Sequence, residues 1–434
     1  MAFTLEATIG LHEVEKENLI RTMRRLVDSG NTVIAVEHDA NFMREADYII
    51  DIGPGAGVCG GLKIYEGGYK DFLKNTDSRI APYLSKEQGF PVKTVYRPVD
   101  KKKVLTLSNA CLHNLKNVTA EIPLGVMTGV AGVSGSGKSS LISDTLVPKL
   151  KELLRSKCVT DDDRGYTVEA SLSGYEGIKK CYVIDQRPIG RSSTSCPATY
   201  TGIFDRVRAL FAETPSAKER GYPAGLFSVN GSGGCHKCKG DGVIHYHVGF
   251  GNFIDIPCDS CDGSGYVPEA MEITLEGKNI RDVLDMSVDE AKDFFSDKDS
   301  KIFQMLTILQ RVGLGYIKLG QATPTISGGE SQRIKLAKEL SKGKNAKGAL
   351  YILDEPTTGL SFYDSEQLMK LLNELVDQGN SIIITEHDPY VLSNCDYILE
   401  MGRGGGGAGG MLIAEGTPAE LKENPDSIIG RYLS

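Results

Sequence analysis

The chain has 434 residues, more than one compact core accommodates and about right for roughly three domains. With 24% charged and 40% hydrophobic residues it can build a globular core, which excludes wholesale disorder. The formal net charge of −8 excludes a whole-chain polycation, so any nucleic-acid role needs a local basic surface. No apolar run approaches the ~20 residues of a membrane span, and MAFTLEATIG lacks a basic-then-apolar leader. Ten cysteines in so long a chain are not a disulfide scaffold. A cytoplasmic location is expected, with clustered cysteines pointing to metal.

The first predicted elements are half of a repeat. LVDSGNTVIAVEHDANFMREADYI (26–49) matches LVDQGNSIIITEHDPYVLSNCDYI (375–398) at a constant offset of 349. The register holds from Glu6/Glu355, Thr8/Thr357 and Gly10/Gly359 to Glu66/Glu415 and Gly67/Gly416. In each copy a helix with Leu19, Ile20, Met23, Leu26 and Val27 at helical spacing ends at a Ser29-Gly30 type of stop. A short continuously apolar strand follows, Thr32–Val36 or Ser381–Thr385, of the kind buried in a parallel sheet. Helix–strand alternation predicts an α/β fold. Residues 1–88 read as the tail of one module, 89–103 (GFPVKTVYRPVDKKK) as a linker, and 104–150 with 318–434 as a complete second module.

VMTGVAGVSGSGKSS (126–140) carries a full phosphate-binding loop, Gly132-x4-Gly137-Lys138-Ser139, between an apolar strand and a helix. Its glycines, with Ser134, Gly135 and Ser140, let backbone N–H groups face phosphate at a helix N-terminus. Lys138 is expected on the β- and γ-phosphates and the Ser139 hydroxyl on Mg²⁺. ATP is the expected substrate.

About 190 residues separate this loop from the next nucleotide signal, so 151–317 reads as an insert. Residues 179–239 hold ten Lys/Arg against four Asp/Glu, a local +6. Lys179, Lys180, Arg187, Arg191, Arg206 and Arg208 are candidate phosphate-backbone contacts, although such residues often only solvate a surface. Cys235-x2-Cys238-x19-Cys258-x2-Cys261, within 231–268, has the spacing of a four-thiolate zinc site. Each knuckle runs on into x-Gly-x-Gly (Gly240 and Gly242; Gly263 and Gly265). The alternating VIHYHVGFGNFIDI between them predicts a hairpin. Four cysteines leave no open coordination position, so the zinc is expected to be structural, with His245 and His247 on the hairpin surface.

Ile326-Ser327-Gly328-Gly329-Glu330 then opens a predicted amphipathic helix, RIKLAKEL, as an outward anion-binding tip. The apolar run ALYIL ends in Asp354, expected on Mg²⁺ through water, and Glu355, the candidate base for an attacking water. His387, 32 residues on, lies where it could meet the γ-phosphate.

Phosphate loop, Ser-Gly-Gly-Glu helix tip, Asp-Glu strand and distal histidine together resemble the ABC-type ATPases. DQRPIGRSSTSCPATYTGIFDRVR, GCHKCKGDGVI, LGQATPTISGGESQRIKLAKEL and LDEPTTGL narrow that resemblance to the UvrA family, from about Thr8 to the final GRYLS. The resemblance implies tandem ATPase modules, and a dimer that binds damaged DNA in nucleotide excision repair and loads a UvrB-like partner. It also puts Gln186 among the metal- and water-binding residues and makes 327–330 a signature that closes on the nucleotide of another module. The matched part is that family's C-terminal half. Leu5 stands where Asp354 stands in the second copy, while the first phosphate loop, first signature and partner-docking insert have no counterpart. His38 is then a switch residue without its own site, and Cys196 replaces the family's usual Asn. A homodimer, or association with an N-terminal half, is expected to supply the missing signature. Two other readings stay open: a UvrA-like paralogue for drug self-resistance, and a zinc-containing protein-interaction module without DNA binding.

Overall fold

The computed structural model describes residues 2–5, 7, 8, 10–55, 60–85, 91–160, 168–190, 192, 194–249, 252–342 and 347–433. The chain folds as two compact units, residues 1–185 with 343–434, and residues 186–342.

The first unit contains both repeat copies. In the first copy β1 (Ala2–Leu5) pairs in parallel with β2 (Val33–Val36), and β3 (Ile49–Gly53) pairs antiparallel with β4 (Leu62–Gly67). The helix Glu13–Asp28 between β1 and β2 starts at His12 through a capping box: Nδ1 of His12 accepts from Val14 N–H at 3.4 Å, while Glu15 Oε2 accepts from His12 N–H at 2.9 Å. Between the copies come β5 (Val104–Ala110), β6 (Val118–Pro123), β7 (Met127–Gly132), β8 (Cys158–Val159), β9 (Ser171–Ser173) and β10 (Lys180–Ile184).

A seven-stranded sheet forms the centre of this unit once β13 (Ala349–Asp354), β14 (Ser381–Thr385), β15 (Tyr397–Gly402) and β16 (Met411–Gly416) are added to β7, β8 and β10. Its order is β16-β15-β7-β14-β13-β10-β8, parallel except for the β15–β16 edge. Short apolar strands such as Leu350–Leu353 and Ile382–Ile384 are buried on both faces, as expected of parallel strands covered on each side. One face packs on Leu141, Ile142, Leu146 and Leu150 from the turns after the phosphate loop, and on Leu105, Leu107 and Ile122 of the three-stranded sheet β6-β5-β9.

The first-copy strand departs from expectation. It begins at Val33, and its residues alternate between half-buried and exposed, where the apolar run predicted full burial. Its only sheet partner among the described residues is β1, so one of its edges has no described strand beside it. The proline- and lysine-containing segment 91–103 is fastened to the second copy: Arg97 reaches the fully buried Asp396 at 2.9 Å, Lys93 also pairs with Asp396, and Tyr96 donates to Ser393 O at 2.8 Å.

The second unit is mainly helical. Its core includes Phe211, Phe227, Phe295, Ile302 and Leu306, and it carries the antiparallel hairpin β11 (Val243–Gly249) and β12 (Asn252–Pro257). No helix among the described residues is long and apolar enough to cross a membrane.

Candidate nucleotide site and cysteine cluster

The sheet delivers the phosphate loop at the C-terminal end of β7, and the helix Lys138–Leu141 begins directly after it. Gly132 has φ +142°, and a Cβ there would lie 2.2 Å from Met401 O, so only glycine fits. Lys138 is buried and its Nζ donates to Gly132 O at 2.8 Å and Val133 O at 3.1 Å, curling the loop around its own lysine. Burial pushes this ammonium down to about 8, with the charges of Glu355, Glu15 and Asp354 opposing. Ser139 stands exposed on the first turn, and Ser140 is half-buried beside it.

Two strands away, β13 carries Asp354 and, just past it, Glu355. Thr385 of β14 hydrogen-bonds Asp354 through its hydroxyl, and burial raises this carboxyl. Glu355 takes φ +46° as the chain leaves the strand. Its Oε1 meets Nε2 of His387 at 3.1 Å, and this hydrogen bond holds Glu355 below the usual carboxylate range against the effect of burial. A carboxylate can only accept, so His387 carries its proton on Nε2. The structure thus joins the predicted Asp354–Glu355 pair with the predicted His387.

Sequence reasoning missed how closely the first copy packs against this machinery. Glu15 Oε2 accepts from the phosphate-loop Ser134 N–H at 3.2 Å, and Gly10 lies beside Glu355, where an added Cβ would stand 3.9 Å from Oε2. A cavity of about 330 Å³ is lined by equivalent residues of both copies, Thr8 with Thr357, Gly10 with Gly359, His38 with His387 and Asp39 with Asp388. Lys16 reaches into this lining, 2.7 Å from Glu13 and 2.8 Å from Asp39, and the charge of Asp388 also acts on it. The constant offset of 349 could have pointed to such pairing, because repeated segments often face each other across a local two-fold. Glu6 lies outside the described residues.

In the second unit Ser327 caps the helix Gly328–Ser341 through a capping box: Ser327 N–H donates to Glu330 Oε2 at 2.8 Å, and Glu330 N–H to Ser327 Oγ at 3.3 Å. Tyr316 OH donates to Glu330 Oε1 at 2.5 Å. A Cβ on Gly328 would lie 3.1 Å from Gln186 O, so the structure seats Gln186, the first residue of this unit, against the helix tip. The helix is not the two-faced one predicted. Ser331 to Ala337 are all buried, in a unit where it packs against the helices Ser300–Arg311 and Pro197–Thr201.

The basic residues are divided. Lys179 and Lys180 lead into β10 in the first unit, with Lys180 Nζ 4.9 Å from the Tyr182 ring centre. Arg187, Arg206 and Arg208 belong to the second unit, where Arg206 is bound to Asp299 at 3.0 Å and Arg208 pairs with Asp205. Arg191 lies outside the described residues.

The knuckles flank the hairpin, and the Sγ atoms of Cys235, Cys238, Cys258 and Cys261 all lie within 4.8 Å of one another. Cys235–Cys258 and Cys238–Cys261 are 4.0 and 3.7 Å apart, close to the roughly 3.8 Å edge of a tetrahedron with ~2.3 Å zinc–sulfur bonds. Gly242 N–H and Gly265 N–H donate to Cys238 Sγ and Cys261 Sγ at 3.2 and 3.3 Å. Donor type, number and spacing all fit zinc. His245 is exposed and takes Asp255 at 2.5 Å, outside the sulfur set.

Sheet order, phosphate loop, Asp-Glu strand end and paired histidine give this chain the fold of an ABC-type ATPase carrying an inserted helical and cysteine-hairpin region. No protein-family model matches the chain. It is 46% identical over 99% of its length to UvrABC system protein A of Micrococcus luteus, covering 43% of that protein. With the same protein of Thermus thermophilus it is 48% identical over 96% of its length, again covering 43%. The crystal structure of UvrA2 from Deinococcus radiodurans superposes with a TM-score of 0.89 at 41% identity, over all of this chain and 52% of that one. The chain resembles UvrA of the ABC excinuclease, and spans less than half the length of these curated relatives.

Proposed function

We propose that the chain is an ATP-dependent DNA-binding protein of the UvrA kind, acting in damage recognition for nucleotide excision repair from the cytoplasm. The observation that carries this reading is the Glu355–His387 pair set beside the lysine-centred loop, in a chain 46% identical to a UvrABC system protein A. On nucleotide entry the Lys138 ammonium leaves the Gly132 and Val133 carbonyls for the β- and γ-phosphate oxygens. The N–H groups of 135–140 take the remaining oxygens. Ser139 and Asp354 would hold Mg²⁺, which supplies neutralising charge on the phosphates. Glu355, kept ionised by its bond from His387, accepts the proton of the attacking water. By the resemblance Gln186 takes part in binding the metal and the attacking water, while the Ser327–Glu330 tip serves a nucleotide held by another module, so a second copy or an N-terminal half completes catalysis.

In the same reading the four cysteines hold a structural Zn²⁺ that fixes the hairpin. DNA is met by Lys179, Lys180, Arg187 and Arg191, with Arg206 and Arg208 contributing where phosphate displaces their carboxylate partners. A UvrB-like protein is the downstream partner.

The test pairs two variants with a titration. Lys138→Ala is expected to abolish ATP binding while zinc stays stoichiometric; Cys258→Ser is expected to release the metal with ATP affinity kept. Binding to lesion-bearing duplex is expected to exceed binding to intact duplex and to fall steeply with salt. Retained ATP affinity in the first variant, or no DNA binding at low salt, overturns the reading.

A further inference from the structure

His12 stands at the start of the helix Glu13–Asp28, wholly shielded from solvent. Its Nδ1 accepts the Val14 N–H at 3.4 Å, so the neutral ring carries its hydrogen on Nε2. Burial first, then the charges of His387 and Lys138, press the ring toward neutrality, down to about 4. Nε2 is buried without a hydrogen-bond partner among the described residues. A stranded donor of this kind is costly and calls for a ligand.

Its chain neighbours lie against the nucleotide site. Two residues before it, Gly10 abuts Glu355; three residues after it, Glu15 binds the phosphate-loop Ser134 N–H at 3.2 Å. His12 is thus bracketed by contacts to the candidate base and to the phosphate loop. The equivalent position in the second copy is Ser361, whose hydroxyl caps locally with Asp364. Capping alone therefore does not account for an imidazole.

We propose that His12 is a nucleotide-site residue supplied by the first repeat copy, donating its Nε2–H to an oxygen of the terminal phosphate of ATP held by the 132–139 loop. This rests on the ATP reading given above and extends it. The first copy then senses the γ-phosphate directly, and the site distinguishes triphosphate from diphosphate partly through a segment more than a hundred residues upstream of the loop.

The test uses the full chain with Mg²⁺ and compares binding of a non-hydrolysable ATP analogue with that of ADP. His12→Asn keeps a good helix cap but withdraws the distal donor. It is expected to weaken the triphosphate about tenfold and ADP less than twofold, with an unchanged melting temperature. His12→Gln, which can still extend an N–H, is expected to recover part of the loss. An unchanged triphosphate-to-diphosphate ratio in His12→Asn, or equal loss of both ligands, overturns the proposal. Lys138→Ala separates the two readings: if it still binds ATP the loop assignment fails, whereas if it loses ATP and His12→Asn keeps the wild-type ratio, only the histidine proposal fails.

Discussion

The two repeat copies show one sequence pattern in two settings. Locally they agree: Thr8 N–H donates to Glu37 Oε1 at 3.1 Å and Thr357 N–H to Glu386 Oε1 at 3.2 Å, while Asp39 and Asp388 each cap the next short helix. Their surroundings do not agree. In the second copy β7 lies between β14 and β15; in the first, no described strand lies between β2 and β3, which belong to separate two-stranded sheets. Ile34 is 42% exposed against 1% for Ile383, and Ile50 60% against 0% for Leu399. Turns, caps and strand extents follow from nearby residues. Burial is conferred by a strand from elsewhere in the sequence.

The largest expected effect lies within the first copy, where it faces the second. Lys16→Met strips the buried Glu13 and the half-buried Asp39 of their cation and is expected to cost about 3–5 kcal/mol in urea unfolding at pH 7. The loss should shrink on acidification, because burial already raises the Glu13 carboxyl and protonation removes its charge. A neutral result would mean that the lysine does not hold the first copy's acidic pair in place. Next, Leu399→Ala in the enclosed copy is expected to cost about 2–5 kcal/mol, and Ile50→Ala in the open copy within about 0.5 kcal/mol. Equal losses would break the contrast between the two settings.

A pH scan probes the enclosed copy further. Burial raises the Glu386 carboxyl to about 7, so the folded form keeps a proton that the unfolded chain releases near 4.5. Its contribution to stability therefore falls as pH rises from about 4.5 to 7, by about 2–3 kcal/mol at most. Glu386→Gln, which can still accept from Thr357, is expected to flatten that part of the stability profile. Smallest is the cap: Ser361→Ala should lower stability by about 1 kcal/mol in thermal unfolding, and Ser361→Asn hardly at all.

What was legible in the sequence was contiguous. The phosphate loop, each Cys-x2-Cys knuckle, the Asp-Glu strand end and the Ser327 cap declare themselves within a dozen residues, and the repeat through its unbroken register. Contacts across long separations left no such trace. Glu15 on Ser134, Arg206 on Asp299 and Arg97 on Asp396 join residues 119, 93 and 299 apart. The helix Gly328–Ser341 read as two-faced because Arg333 and Lys335 interrupt its apolar positions, yet packing buries both. The apolar run 32–36 read as buried because strand composition does not reveal whether neighbours are present.

The position of the four sulfurs has its own mechanical outcome. They clasp the two feet of a ribbon only two strands wide, an element marginal in water when unsupported. An ion held there would act as a rivet at the ribbon's root, and the order of β11 and β12 would rise and fall with its occupancy. Chelation strength in the surrounding medium would then become a dial on the shape of that ribbon, turned independently of the phosphate loop.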